Sequence, residues 1–135
     1  MDELTVPALT EALGDVQAFL EQKLEQQDCS PGLQMQLSLV AEEVFVNIAH
    51  YAYPEGEGSA VVGVEVSGQP PVLILRFVDR GVPFDPLSRP EADITLSAQE
   101  RPIGGLGIFL TRKIMDEVVY SYEAGQNILT LRKKL

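Results

Sequence analysis

Glu43 and Asn47 stand four positions apart in Ala41–Tyr53, AEEVFVNIAHYAY. On a helix that advances ~100° per residue, this spacing stacks their side chains on one face. Leu33, Leu37, Val40, Val44 and Ile48 gather into one apolar stripe roughly 80° wide. Asn47 falls just off the edge of that stripe, Glu43 lies one step further round, and Glu42 points away towards solvent. A carboxylate and a carboxamide on the border of a core are held by packing yet still reach a cleft, which suits metal–phosphate chemistry. Alone, such a pair is more often a half-solvated helix face.

Two further motifs follow. Asp79-Arg80-Gly81-Val82-Pro83-Phe84-Asp85 comes directly after an apolar run. There a carboxylate at a strand exit can accept a directed hydrogen bond, and Gly81 leaves space for a flat ligand or for a positive φ. Gly104-Gly105-Leu106-Gly107 supplies flexible backbone at a predicted helix N-terminus, where free N–H groups and the macrodipole favour phosphate. Each motif is common by itself: the first as an Asp/Gly turn, the second as an ordinary helix start. The amide oxygen of Asn47 suits a hard cation such as Mg²⁺, which takes oxygen ligands and keeps several waters.

The elements that must position these groups can be read in order. Leu4–Pro7 is a short β-prone edge strand. Thr10 caps a helix in which Leu13, Val16, Leu20 and Leu24 keep helical spacing to about Gln27. Ser30-Pro31 is a helix start, and that helix carries Glu43 and Asn47 before ending by Pro54. Ala60–Val66 and Val72–Val78 form a hairpin, and the nearly all-apolar second strand is expected in a central, well-covered position. Pro86 to Ile103 reads as a long, mobile lid loop. A helix then runs from the glycines to about Met115, and Val118–Tyr122 and Ile128–Arg132 make a closing hairpin. Strands arriving in adjacent hairpins do not fit a doubly wound parallel sheet. The order predicts an α+β two-layer sandwich, a mostly antiparallel mixed sheet with helices on one face, in one domain spanning 1–135.

The totals set outer limits. The 135 residues suffice for one sizeable core, and 45% hydrophobic with 22% charged residues is ordinary for a globular protein. No apolar run approaches a membrane span, and Met1-Asp2-Glu3 is not the start of a signal peptide. The single cysteine, Cys29, can form neither an internal disulfide nor a Cys-based metal site, so a cytoplasmic location is expected. A net charge of −10 argues against a nucleic-acid partner, but not against a small nucleotide held by backbone N–H groups and a bridging cation.

Taken in order, E-x-x-x-N on a helix, D-x-G-x-P-F-D after a strand and a lid ending in G-G-L-G, the sequence resembles the GHKL (Bergerat-fold) ATPases, and most closely the anti-sigma-factor serine/threonine kinases. Glu43 and Asn47 are similar to the N box, Asp79 and Gly81 to the G1 box, Gly105 and Gly107 to the G2 box. The resemblance implies ATP and Mg²⁺ as cofactors, with Asn47 as the metal ligand and Glu43 as the general base. It implies that Asp79 bonds the adenine amino group and that the backbone around Gly104, Gly105, Leu106 and Gly107 wraps the phosphates. Arg101 would steady the γ-phosphate, with a solvated lid arginine as the alternative. Two departures stand out. Tyr51 occupies the place of a histidine common in the family, with His50 one residue earlier. Asn127 stands about where a threonine is usual near the adenine.

The resemblance further implies phosphoryl transfer from Mg·ATP to a serine or threonine of a STAS-domain anti-anti-sigma protein. It also implies alternate sequestration of a sigma factor, and the homodimers usual in the family. No separate helical domain carries a phosphoacceptor histidine, which argues against a sensor histidine kinase. The competing reading is a nucleotide-binding regulatory module that transfers no phosphate.

Overall fold

The computed structural model describes residues 1–88 and 105–135. Five strands and three helices follow the predicted order. They are β1 (Asp2–Pro7), α1 (Leu13–Glu25), α2 (Pro31–Tyr51), β2 (Ser59–Ser67), β3 (Val72–Asp79), α3 (Gly105–Ile114), β4 (Glu117–Glu123) and β5 (Gln126–Lys134). Short 3₁₀ turns occupy Thr10–Ala12 and Pro86–Ser88. The remainder of the predicted lid, 89–103, and the first glycine after it, at 104, lie outside the described residues.

The strands form one sheet in the order β1-β2-β3-β5-β4. All four pairings among the described residues are antiparallel, so no parallel pair makes the sheet mixed. The hairpins β2–β3 and β4–β5 are joined by tight turns, the α1–α2 excursion returns β2 antiparallel to β1, and the α3 excursion brings β4 back in the same sense as β3 with β5 lying antiparallel between them. The inward side chains Val62, Val64, Leu73, Leu75, Phe77, Leu129 and Leu131 meet Val16, Leu20 and Leu24 of α1 and Leu37, Val40, Ala41, Val44 and Phe45 of α2 in one core cluster. This is the α+β two-layer sandwich read from the sequence.

Local chemistry accounts for α2. The Ser30 hydroxyl accepts a hydrogen bond from the Leu33 N–H at 3.2 Å, and Pro31 opens the first turn. The buried arc of the helix is wider than the predicted stripe, because Ala41 and Phe45 join it on the flank away from Glu43. The start of α1 differs from expectation. Thr10 begins the 3₁₀ turn rather than capping the helix, and neither the turn nor α1 has a side-chain cap. β3 takes the predicted central position but is covered on one face only: Leu73, Leu75, Phe77 and Asp79 are buried while Val72, Ile74, Arg76 and Val78 are half-buried. All three helices lie on the inner face, so an apolar outer face alone does not recruit a second layer.

Candidate functional site

Asp79 is the last residue of β3, and strand alternation turns it inward, where it is 6% exposed. Directly across the antiparallel pair stands Asn127 of β5, also 6% exposed. The Asn127 Nδ2 donates to Asp79 Oδ1 at 2.9 Å and to the Val82 carbonyl at 2.9 Å. Its Oδ1 accepts from the Phe84 N–H at 3.0 Å and from the Tyr120 hydroxyl. One side chain therefore ties β3, β4, β5 and the segment after β3 into a single frame. Burial, with the Asp85 and Asp79 carboxylates nearby, pushes the Tyr120 phenol up against a lowering contribution from the Phe84 backbone; it stays a donor at neutral pH.

Asp79 Oδ1 also accepts the Gly81 N–H at 2.9 Å, whereas Oδ2 makes no hydrogen bond among the described residues. A buried carboxylate with one occupied and one open oxygen is an acceptor waiting for a donor, since leaving it unmatched costs about 1–3 kcal/mol. Gly81 does not adopt the positive φ that was one of its two predicted uses. A Cβ there would lie 2.2 Å from the Ala52 carbonyl oxygen, so the residue is glycine because its backbone abuts the end of α2. The Val82 N–H closes that contact by donating to the Ala52 carbonyl at 2.8 Å.

Asp79, Asn127 and Ala52 line an open pocket. Its walls are Val44, Asn47 and Ile48 of α2, Ile108 of α3, Phe77, Tyr120 and Leu129 of the sheet, and Phe84 and Pro86 beyond β3. Mostly apolar walls with a few polar groups are the usual make-up of small-molecule sites. Phe84 is held in place by stacking on Tyr51, with ring centroids 5.7 Å apart and planes inclined by 17°. The loop that follows is fastened too: Asp85 Oδ1 accepts the Leu87 N–H at 2.8 Å, and Arg112 of α3 donates to the Leu87 carbonyl at 3.0 Å. Tyr53 ties the other side, accepting from the Arg80 N–H at 2.8 Å and donating to the Ser59 carbonyl at 2.7 Å.

Asn47 and Asp79 thus share one pocket. Glu43, one turn before Asn47, does not line it and is half-buried. Burial, and secondarily the adjacent Glu42 carboxylate, raise the Glu43 carboxyl above the usual range, which strengthens it as a proton acceptor. Glu42 is itself half-buried rather than fully turned to solvent. Gly105, Leu106 and Gly107 form the first turn of α3. Arg101 and Gly104 lie outside the described residues. His50 is exposed and meets Tyr51 edge-on.

Among the described residues no group of three or more His, Cys, Asp or Glu could enclose a metal ion. A divalent cation beside Asn47 would take its amide oxygen and would need a ligand's own oxygens and water to complete its shell, a donor set that fits Mg²⁺ and not a protein-enclosed structural metal. The hub role of Asn127 is the feature that sequence reasoning missed. Its importance rests on facing Asp79, 48 positions away in the chain, and no local spacing encodes that register.

Comparison with known proteins bears on this geometry. Residues 6–133 match the family model described as the histidine kinase-like ATPase domain. The serine-protein kinase RsbW of Listeria monocytogenes is 30% identical over 97 residues, which is 69% of this chain and 61% of that protein's length. The serine/threonine-protein kinase BtrW of Bordetella bronchiseptica is 29% identical over 129 residues, covering 96% of this chain and 89% of that protein. The matched stretch therefore spans about three-fifths of the Listeria kinase but most of the Bordetella one.

Proposed function

The chain belongs to the histidine kinase-like ATPase domain family, and from that premise we propose that it is an ATP-dependent protein serine/threonine kinase of the anti-sigma-factor type. One observation carries the reading: Asp79 is buried at the pocket floor with Oδ2 open to a donor. An exocyclic amine such as that of adenine supplies the matching N–H, and the apolar walls formed by Ile48, Phe84 and Ile108 suit a flat base. The triphosphate then extends towards Asn47 and the N-terminal turn of α3, where unpaired backbone N–H groups favour negative charge.

In this reading Gly104, Gly105, Leu106 and Gly107 lend backbone N–H groups to the phosphates, and Arg101 adds a positive charge at the γ-phosphate. Asn47 would hold Mg²⁺, which supplies neutralisation of the phosphate oxygens. Glu43 takes the proton of a serine or threonine hydroxyl as its oxygen bonds to the γ-phosphorus. The bond from that phosphorus to the β–γ bridging oxygen breaks in the same displacement, and ADP leaves. The acceptor is a STAS-domain anti-anti-sigma protein, and the same chain, acting in the cytoplasm as a homodimer, sequesters a sigma factor when the STAS partner is phosphorylated. The two similar proteins named as kinases support the phosphotransfer part of this reading. The acidic net charge of −10 argues against direct nucleic-acid contact.

A second reading is favoured by the place of Glu43 outside the pocket lining: a nucleotide-binding module that regulates a partner without transferring phosphate. Calorimetric titration with ATP and ADP, with and without Mg²⁺, tests what the two readings share. Binding by wild type that is lost in Asp79→Asn, where the open acceptor is replaced or halved, is the expected result. No binding to folded wild type overturns both. Phosphate appearing on a STAS-domain protein with wild type but not Glu43→Gln selects the kinase.

A further inference from the structure

The polar side chains that line the pocket among the described residues are Asn47, Asp79, Tyr120 and Asn127. Two of them are committed to one another. An asparagine amide has two N–H donors and an oxygen with two lone pairs. In Asn127 the donors go to Asp79 Oδ1 and the Val82 carbonyl, and the lone pairs take the Phe84 N–H and the Tyr120 hydroxyl. The amide is filled from within the protein and has nothing left to offer a ligand. Tyr120 has one proton to donate and gives it to this amide. It comes from the edge strand β4, where it pairs with Leu129. Asn127 stands two positions along β5, so the phenol reaches the amide diagonally across the inner face. What remains for a base beside this pair is Asp79 Oδ2, an acceptor.

We propose that Tyr120 is a positioning residue for base selection: acting through Asn127, it holds Asp79 in the setting by which the pocket distinguishes a purine that carries an exocyclic amine from one that does not. The inference rests on the nucleotide reading above and deepens it, because it names the side chain that sets the base preference. The sense of the amide is what Tyr120 controls. With two donors on Oδ1, Nδ2 must face the carboxylate. A turned amide would set its oxygen against Asp79 Oδ1 and the Val82 carbonyl, and its N–H groups against the Phe84 N–H. Without the phenol, the Phe84 N–H alone holds Oδ1, and the grip of Nδ2 on Asp79 loosens. A carboxylate free to turn loses its alignment with a single donor, since hydrogen bonds weaken steeply off axis. The apolar walls, by contrast, hold a purine ring with or without its amine. The Tyr120 hydroxyl therefore acts on recognition of the amine and leaves contact with the rest of the base alone.

The test is calorimetric titration, in the presence of Mg²⁺, with ATP and with purine riboside triphosphate, which lacks only the amine. Wild type, Tyr120→Phe, Asn127→Ala and the double variant are compared, with melting temperature as the control on the fold. Wild type is expected to prefer ATP by about tenfold or more. Tyr120→Phe keeps the ring and is expected to narrow that preference to about threefold or less, through weaker ATP binding with the affinity for the analogue within about twofold. Asn127→Ala is expected to narrow it as well, and adding Tyr120→Phe to it to change the preference no further. Equal weakening of both nucleotides in Tyr120→Phe assigns the phenol to packing alone and overturns the proposal. So does a wild-type preference in that variant, or a further narrowing in the double variant. Should Tyr120→Phe fail to fold, a wild-type preference in folded Asn127→Ala overturns it. ATP binding by wild type with no preference over the analogue overturns the amine contact and the proposal with it. Binding of neither nucleotide to folded wild type overturns the nucleotide reading itself.

Discussion

Asn127 and Asp79 face each other across the central β3–β5 pair and share a hydrogen bond of 2.9 Å between Nδ2 and Oδ1. The bond occupies Oδ1 of a carboxylate that lines the pocket, so an amide supplied by β5 helps decide how β3 presents its acceptor. Because Asn127 also holds the Val82 carbonyl and the Phe84 N–H, the same side chain orients the pocket wall.

Asn127→Ala removes both halves of this frame. It strands the Val82 carbonyl and the Phe84 N–H and frees Asp79 to rotate. Chemical denaturation is expected to show a loss of about 1–3 kcal/mol, with weaker ATP binding in calorimetry. Unchanged stability and affinity would show that the hub is incidental.

Gly81→Ala places a methyl group against the Ala52 carbonyl, where backbone cannot give way. Separation of β3 from the end of α2 is expected to cost about 1–3 kcal/mol and to weaken nucleotide binding. Gly14→Ala, in α1 with nothing near its added Cβ, is expected to stabilise by about 0.5–1 kcal/mol. Paired thermal melts of the two variants distinguish close approach from mere flexibility as the reason for each glycine.

Glu43→Gln separates chemistry from stability. Phosphoryl transfer is expected to fall about 10²–10⁴-fold, while ATP binding stays close to wild type. The Glu43 carboxyl is raised in the folded state by burial and by Glu42, so the native protein holds this proton to higher pH than the unfolded chain. Its contribution favours folding most below the ordinary carboxylate pKa of about 4.3 and is lost as pH rises through the folded value. The glutamine variant is therefore expected to match or exceed wild-type stability at neutral pH, with any excess vanishing in acid. Melting curves across that range check the sign, and a variant less stable at neutral pH than in acid, relative to wild type, would contradict it.

Tyr53→Phe keeps the ring and deletes the hydroxyl that joins the Arg80 N–H to the Ser59 carbonyl. A loss of about 0.5–3 kcal/mol is expected in urea denaturation. Hydrogen exchange should speed at the Arg80 amide first, since that donor loses its partner.

The sequence by itself determined the elements, their order and the helical face shared by Glu43 and Asn47. These follow from short-range rules: Ser30 and Pro31 start a helix by local capping, apolar spacing marks the faces, and tight turns force antiparallel neighbours. The motif order of Glu43/Asn47, Asp79/Gly81 and the glycines at 104–107 was legible for the same reason. Only the tertiary structure decided that Asp79 meets Asn127, that Gly81 abuts Ala52, and that β3 is covered on one face. It also decided that Met35 and Leu39 stay outside the core. Those facts depend on register and close approach between segments far apart in the chain, and a one-dimensional pattern carries no term for distance in space.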